Sequence, residues 1–191
     1  MRYKPGHREE ARERILTAMG KGFRKHGYEG IGVDGLAKEA GVTSGAFYGH
    51  FSSKEDAFKE VVTHGLNELR EAIEGCQAEF GPEWIGAFVD FYLGYKRTCD
   101  LGDACALQTL TSEVARSGEA VRKIYQDELA KVIEIAAKGL PNGTLADRRD
   151  RAWALLSLLS GGVTTARALA DDKLSAKMAK ALRSAALAIC Q

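Results

Sequence analysis

The segment VDGLAKEAGVTSGAFYGHFSSK, from Val33 to Lys54, carries two short helical patterns parted by one glycine-containing turn. Val33, Leu36, Ala37 and Ala40 recur at helical spacing, and Gly41 is the residue that takes positive φ and stops that helix. Past the turn, Thr43 or Ser44 serves as N-cap of a second short helix, in which Phe47 and Phe51 lie four apart on an inward face. Ser44, Tyr48, Gly45 and Gly49 are left on the outer face.

Such a pair describes a helix-turn-helix, whose second helix enters a DNA major groove by its N-terminal end. Gly45, Ala46 and Gly49 let the backbone approach base edges, while Tyr48 and His50 are suited to phosphate or sugar. Lys54 opens the next helix, so a cation and a helix N-terminus stand together for one phosphate. The residues expected at DNA are therefore Thr43, Ser44, Gly45, Phe47, Tyr48, His50 and Lys54.

Gly41, Val42, Thr43, Gly45, Phe47, Tyr48, His50, Phe51, Lys54 and Glu55 together resemble the signature of the TetR family of transcriptional repressors, over roughly Arg8 to Val62. The resemblance implies an all-α fold: an N-terminal three-helix helix-turn-helix domain over residues 1–54, its fourth helix included to about 60, and a helical ligand-binding and dimerisation domain over 55–191. It also implies a homodimer on double-stranded DNA at a palindromic operator, released by a small-molecule effector. Three departures stand out. Ile31 and Gly32 replace the usual threonine or serine ahead of the motif, leaving Gly32 or Asp34 to cap it. Gly35 inside the first helix costs about 1 kcal/mol relative to alanine. Gly49 is short where a longer polar side chain is common, which makes base reading sparse.

The 191 residues, 45% hydrophobic and 28% charged, suffice for one or two domains with a genuine core. No uncharged apolar run of about 18 residues occurs, and the charged start MRYKPGHREEARER lacks the apolar centre of a signal peptide, so a cytoplasmic location without membrane contact is expected. Net charge is only +1, but residues 1–54 carry ten Lys or Arg against six Asp or Glu, and the remainder seventeen against twenty. A basic head on an acidic body fits a localised phosphate contact. Cys76, Cys99, Cys105 and Cys190 form no CxxC pair and have no histidine at ligand spacing, so no metal site and no cofactor is expected. In a reducing compartment they act as small apolar residues, although Cys99 and Cys105 flank a turn and leave open a redox-sensing pair.

Taken in order, residues 1–7 read as a basic arm, either a free tail or a minor-groove contact. Arg8 to about His26 form a helix with Ile15, Leu16, Met19 and Phe23 on one stripe and Gly27 as its stop. After Ser53 a long helix runs to about Gly75 on the seam Phe58, Val62, Leu66, Leu69 and Ile73, long enough to reach from the DNA-binding part into a second domain. A helix from Pro82 to Cys99 carries Trp84, Phe88, Phe91, Tyr92 and Tyr95, the densest aromatic cluster, which serves as core or as the wall of a ligand pocket. Gln108 and Thr111, neutral and polar among apolar neighbours of the next helix, are further candidates to orient that ligand.

A helix from Glu119 to about Lys138 follows, closed by Gly139 and Pro141; then Thr144 caps a helix apolar nearly all round, from Trp153 to Leu159. With the last helix, Leu174 to Ile189, it has apolar surface to spare, for a self-complementary four-helix interface or for closing the monomer's own core. Gly161, Gly162, Ala181 and Ala185 would permit close approach. No alternating strand pattern, Gly-rich phosphate loop or catalytic constellation is present, and the four histidines are scattered, so no enzyme is expected. Two other classes remain open: a redox regulator using Cys99 and Cys105, and a helical protein-interaction module with secondary DNA binding.

Overall fold

The computed structural model describes the backbone of residues 5–191 and side chains from residue 12 onward. Among them every regular element is helical. The first four residues of the expected basic arm lie outside this range, and from Pro5 the backbone is already helical rather than an arm.

Helix α1 (Pro5–Gly30) buries Ile15, Leu16, Met19 and Phe23, the stripe expected from spacing, and loses helical geometry at Gly27, where φ is 75°. Helices α2 (Val33–Glu39) and α3 (Ser44–Tyr48) complete the N-terminal unit. Helix α4 (Lys54–Phe80) follows, with Phe58, Val61, Val62, Leu66, Leu69 and Ile73 buried. Its 27 residues span about 40 Å and pass the expected stop at Gly75. Tertiary packing overrides that glycine: beyond it, Gln77 Nε2 donates to the Ile135 carbonyl at 3.0 Å, and only Gly81 ends the helix.

After one 3₁₀ turn come α5 (Trp84–Leu93) and α6 (Tyr95–Thr98), not the single helix expected. Gly94 breaks it, and a side chain there would stand 2.7 Å from the Asp90 carbonyl oxygen. Helix α7 (Ala106–Arg116), α8 (Glu119–Gly139), α9 (Leu145–Arg167) and α10 (Asp172–Ile189) close the body. Thr144 caps α9 as expected, in a reciprocal pair with Asp147. Arg149 pairs with Glu134 between α9 and α8, and Arg183 grips Asp90 of α5 in bidentate fashion at 2.6 and 3.0 Å from α10.

Besides α4 itself, a polar turn ties the N-terminal unit to the body. The turn Asp100–Asp103, between α6 and α7, lies on α1: Lys21 meets Asp103 at 2.9 Å, Lys25 meets Asp100 at 3.2 Å, and Arg24 Nη1 donates to the Gly102 carbonyl at 3.2 Å. Gly102 is buried here, and a Cβ would come within 2.7 Å of Lys25 Cε.

Candidate nucleic-acid interface and ligand cavity

The second helix of the motif stands on an aromatic base. Phe47 is fully buried and Phe51 nearly so, their rings 5.4 Å apart, and the Tyr48 ring meets Phe47 edge-on at 5.3 Å. Phe47 is thus no contact residue, as its inclusion above would require; it fixes the helix from behind and leaves Tyr48 58% exposed. Thr43 is the N-cap, its Oγ1 accepting from Ala46 N at 3.1 Å. Ser44 Oγ donates to Asp34 Oδ1 at 2.5 Å, so its hydroxyl ties α3 to α2 in the free protein. Gly41 has φ 66°, the left-handed conformation that the turn needs and that side chains resist. Gly32 caps α2 without a side-chain bond, and Gly35 has a steric reason: its Cβ would lie 2.8 Å from Ile31 Cγ1.

His50 is half-buried beside the Phe51 ring. Lys54 Nζ sits 4.3 Å from the centroid of Tyr28, a cation held over a ring rather than free. The neighbouring N-terminus of α4 already carries a carboxylate: Asp56 accepts from Ser52 N at 2.9 Å and from Ser52 Oγ at 3.1 Å, while Ser53 Oγ caps Asp56 N. A phosphate at Lys54 meets that negative charge, which reduces the helix-end contribution expected above.

The seven residues proposed for a ligand divide. Phe88, Phe91, Tyr92 and Tyr95 line a cavity of about 610 Å³. Trp84 is instead core, its indole N–H donating to the Gly139 carbonyl at 2.9 Å, because an indole in the interior needs an acceptor. Gln108 does not line the cavity either, and Thr111 faces a separate recess of about 230 Å³, where its hydroxyl lies 2.8 Å from Tyr125 Oη.

The rest of the cavity's lining comes from elements far apart in sequence. Lys21 and Arg24 enter from α1, Glu68 and Leu69 from α4, Lys96 from α6, and residues 103–106 from the end of the Asp100–Asp103 turn through the start of α7. At the mouth, Phe91 and Tyr95 stack at 5.5 Å with Lys96 Nζ over both rings. Arg24, its side chain only 7% exposed, bonds Glu68 at 2.8 Å. His64 bridges Glu13 of α1 and Glu68 of α4, at 3.4 Å each. Burial would push the Glu68 carboxyl up, but His64 and Arg24 outweigh it and hold it at about 2. The Glu68 contact raises His64 against the opposing effect of burial. Sequence spacing did not reveal these partners, since Arg24 and Glu68 are 44 residues apart.

All four cysteines are free thiols. Cys105 is buried at the cavity beside Tyr92, and Cys99 is half-buried with its carbonyl held by Arg167. Among the described residues no cluster of His, Cys, Asp and Glu is placed to hold a metal, and no helix is long and apolar enough to cross a membrane.

A family model described as bacterial regulatory proteins, tetR family, matches residues 15–61, the helices just assembled around the motif. Over that segment the chain resembles the DNA-binding part of the tetR family. The chain is 23% identical to the HTH-type transcriptional repressor DhaR of Mycobacterium sp. (strain GP1) over 154 residues, 78% of this chain and 76% of that protein. It is 35% identical over 72 residues to the HTH-type regulator YdgC of Bacillus subtilis (strain 168), which spans 38% of the chain and 37% of YdgC. The fold matches the reduced form of NemR from E. coli with a TM-score of 0.77 at 19% identity, covering 93% and 95% of the two chains. It also matches FadR of Bacillus subtilis, solved with stearoyl-CoA, with a TM-score of 0.67 at 21% identity, covering 91% and 98%. These relatives are transcriptional regulators, not enzymes.

Proposed function

We propose that the protein is a DNA-binding transcriptional regulator, acting as a homodimeric repressor that a small-molecule effector releases from a palindromic operator. The observation that carries this reading is the cavity's position: one space is walled both by α1, which supports the helix-turn-helix, and by α5 of the body. A ligand there presses on Lys21, Arg24 and the Asp103 turn together. Displacing them changes how α1, and with it the recognition helix, is held. An effector that lowers operator affinity 100-fold must favour the released conformation by about 2.7 kcal/mol.

Dimerisation by the last two helices is supported by what they leave uncovered. On α9, Trp153 is 44% exposed and Gly161 has open space around it; on α10, Leu174 is 49% exposed, with Ala181 and Ala185 also at the surface. Gly162 falls to the monomer instead, since a Cβ there would meet Leu182 at 2.5 Å. A two-fold pair joined through these faces would set two recognition helices one DNA turn, about 34 Å, apart.

The test is selection of bound fragments from random genomic DNA, followed by gel shifts with variants. Tyr48→Ala and Lys54→Ala weaken all selected fragments alike, whereas changes at Ser44 alter which fragment is preferred. Selection that enriches no palindromic sequence at low salt would refute the proposal.

A further inference from the structure

The cavity's chemistry narrows its ligand, on the reading above that this is the effector site. Three cations line it, Lys21, Arg24 and Lys96, and so do three carboxylates, Glu68, Glu71 and Asp103. The cations are already engaged. Lys21 pairs with Asp103 at 2.9 Å, Arg24 with Glu68 at 2.8 Å and with the Gly102 carbonyl, and Lys96 donates to the Asp103 carbonyl at 2.7 Å. A charged ligand entering this space finds no surplus of opposite charge to offset its lost hydration.

Two buried polar atoms on lining residues have no hydrogen-bond partner in the protein, Tyr92 Oη and Arg24 Nε, and both carry a hydrogen to donate. The Cys105 thiol beside Tyr92 is a weak partner that does not replace water. Burial drives the Tyr92 phenol well above its ordinary value, so it stays a protonated donor. Phe88, Phe91, Tyr95 and Leu69 supply the apolar part of the lining. A buried donor left unmatched costs free energy that an acceptor oxygen on the ligand recovers.

We propose that the cavity binds an uncharged, mainly apolar aromatic molecule whose carbonyl oxygen accepts a hydrogen bond from Tyr92. A volume of about 610 Å³ lies in the range of small-molecule sites and exceeds what one bicyclic ring system fills.

The experiment titrates the full-length protein with three bicyclic probes of similar size: neutral 1-tetralone, anionic 1-naphthoate and cationic 1-naphthylmethylammonium, by calorimetry. Two variants accompany it, Tyr92→Phe, which keeps the ring, and Ala72→Trp, which fills the cavity from an exposed position on its wall. The expected result is that tetralone binds, that Tyr92→Phe weakens it about tenfold, that Ala72→Trp abolishes it, and that both ions bind at least about tenfold more weakly. Equal or tighter binding of either ion overturns the proposal, as does unchanged tetralone affinity in either variant or the absence of tetralone binding. Binding of the expected pattern that leaves affinity for a selected DNA fragment unchanged at saturation supports the ligand chemistry and refutes the effector reading instead.

Discussion

Replacing Arg24 with methionine keeps an unbranched side chain in the junction between α1, α4 and the Asp100–Asp103 turn but removes the guanidinium. Two interactions go with it: the ion pair to Glu68 at 2.8 Å and the bond to the Gly102 carbonyl at 3.2 Å. Glu68 is 45% exposed, so water screens the pair and its worth is about 1 kcal/mol rather than that of a buried ion pair. The part-buried bond to Gly102 contributes about another 1 kcal/mol. A loss of about 2 kcal/mol lowers Tm by roughly 4–8 °C in a chain of this size. The ion pair is isolated by a double-mutant cycle with Glu68→Gln in urea at pH 7, where the expected coupling is about 1 kcal/mol. Because the folded Glu68 carboxyl sits near 2, below its unfolded value of 4.5, its contribution is whole above pH 4.5 and fades as the pH falls toward 2. A coupling below about 0.3 kcal/mol at pH 7 refutes the argument, since the Arg24–Glu68 pair would then add nothing to the hold on α1.

Gly41→Ala isolates backbone strain in the motif: φ is 66° and nothing lies within 4 Å of the added methyl, so the cost is about 1–2 kcal/mol, read as a drop in the urea midpoint. His64→Gln reports a pH dependence of known sign. The folded pKa is raised above 6.5, so the stabilisation by His64 is fully present below pH 6.5 and is lost as the pH rises through the folded value. Urea titrations should therefore show wild type exceeding the variant most at acidic pH and the gap closing above it. Ala181→Glu puts a charge on the exposed face of α10; sedimentation should show a shift from dimer toward monomer, with helical content unchanged by circular dichroism.

The helix-turn-helix was legible because its determinants are local. Leu36, Ala37, Phe47 and Phe51 all lie buried, as their three- and four-residue spacing demands, and Gly41 takes the positive φ that its place in the turn demands. Local rules went astray at glycines whose weight depends on distant partners. Gly75 stays helical because α4 packs on beyond it, whereas Gly94, in an equally convincing pattern, breaks the chain into α5 and α6. Aromatic density marked a helix that lines the cavity but did not separate Trp84, which is core, from the four rings that line it. Trp84 and Phe91 share α5, yet one meets a carbonyl of α8 and the other stands at the cavity mouth.

By itself, then, the amino-acid order determined the amphipathic helices and the inward and outward faces of the helix-turn-helix, since each of these is set by neighbours within two turns of helix. Only the tertiary structure decided that Arg24, Glu68, Tyr92 and Asp103 enclose one space, and that Gly162 serves the monomer while Gly161 stays open. Their meeting depends on how whole helices cross, a sum of many weak contacts spread along the chain that no single spacing encodes.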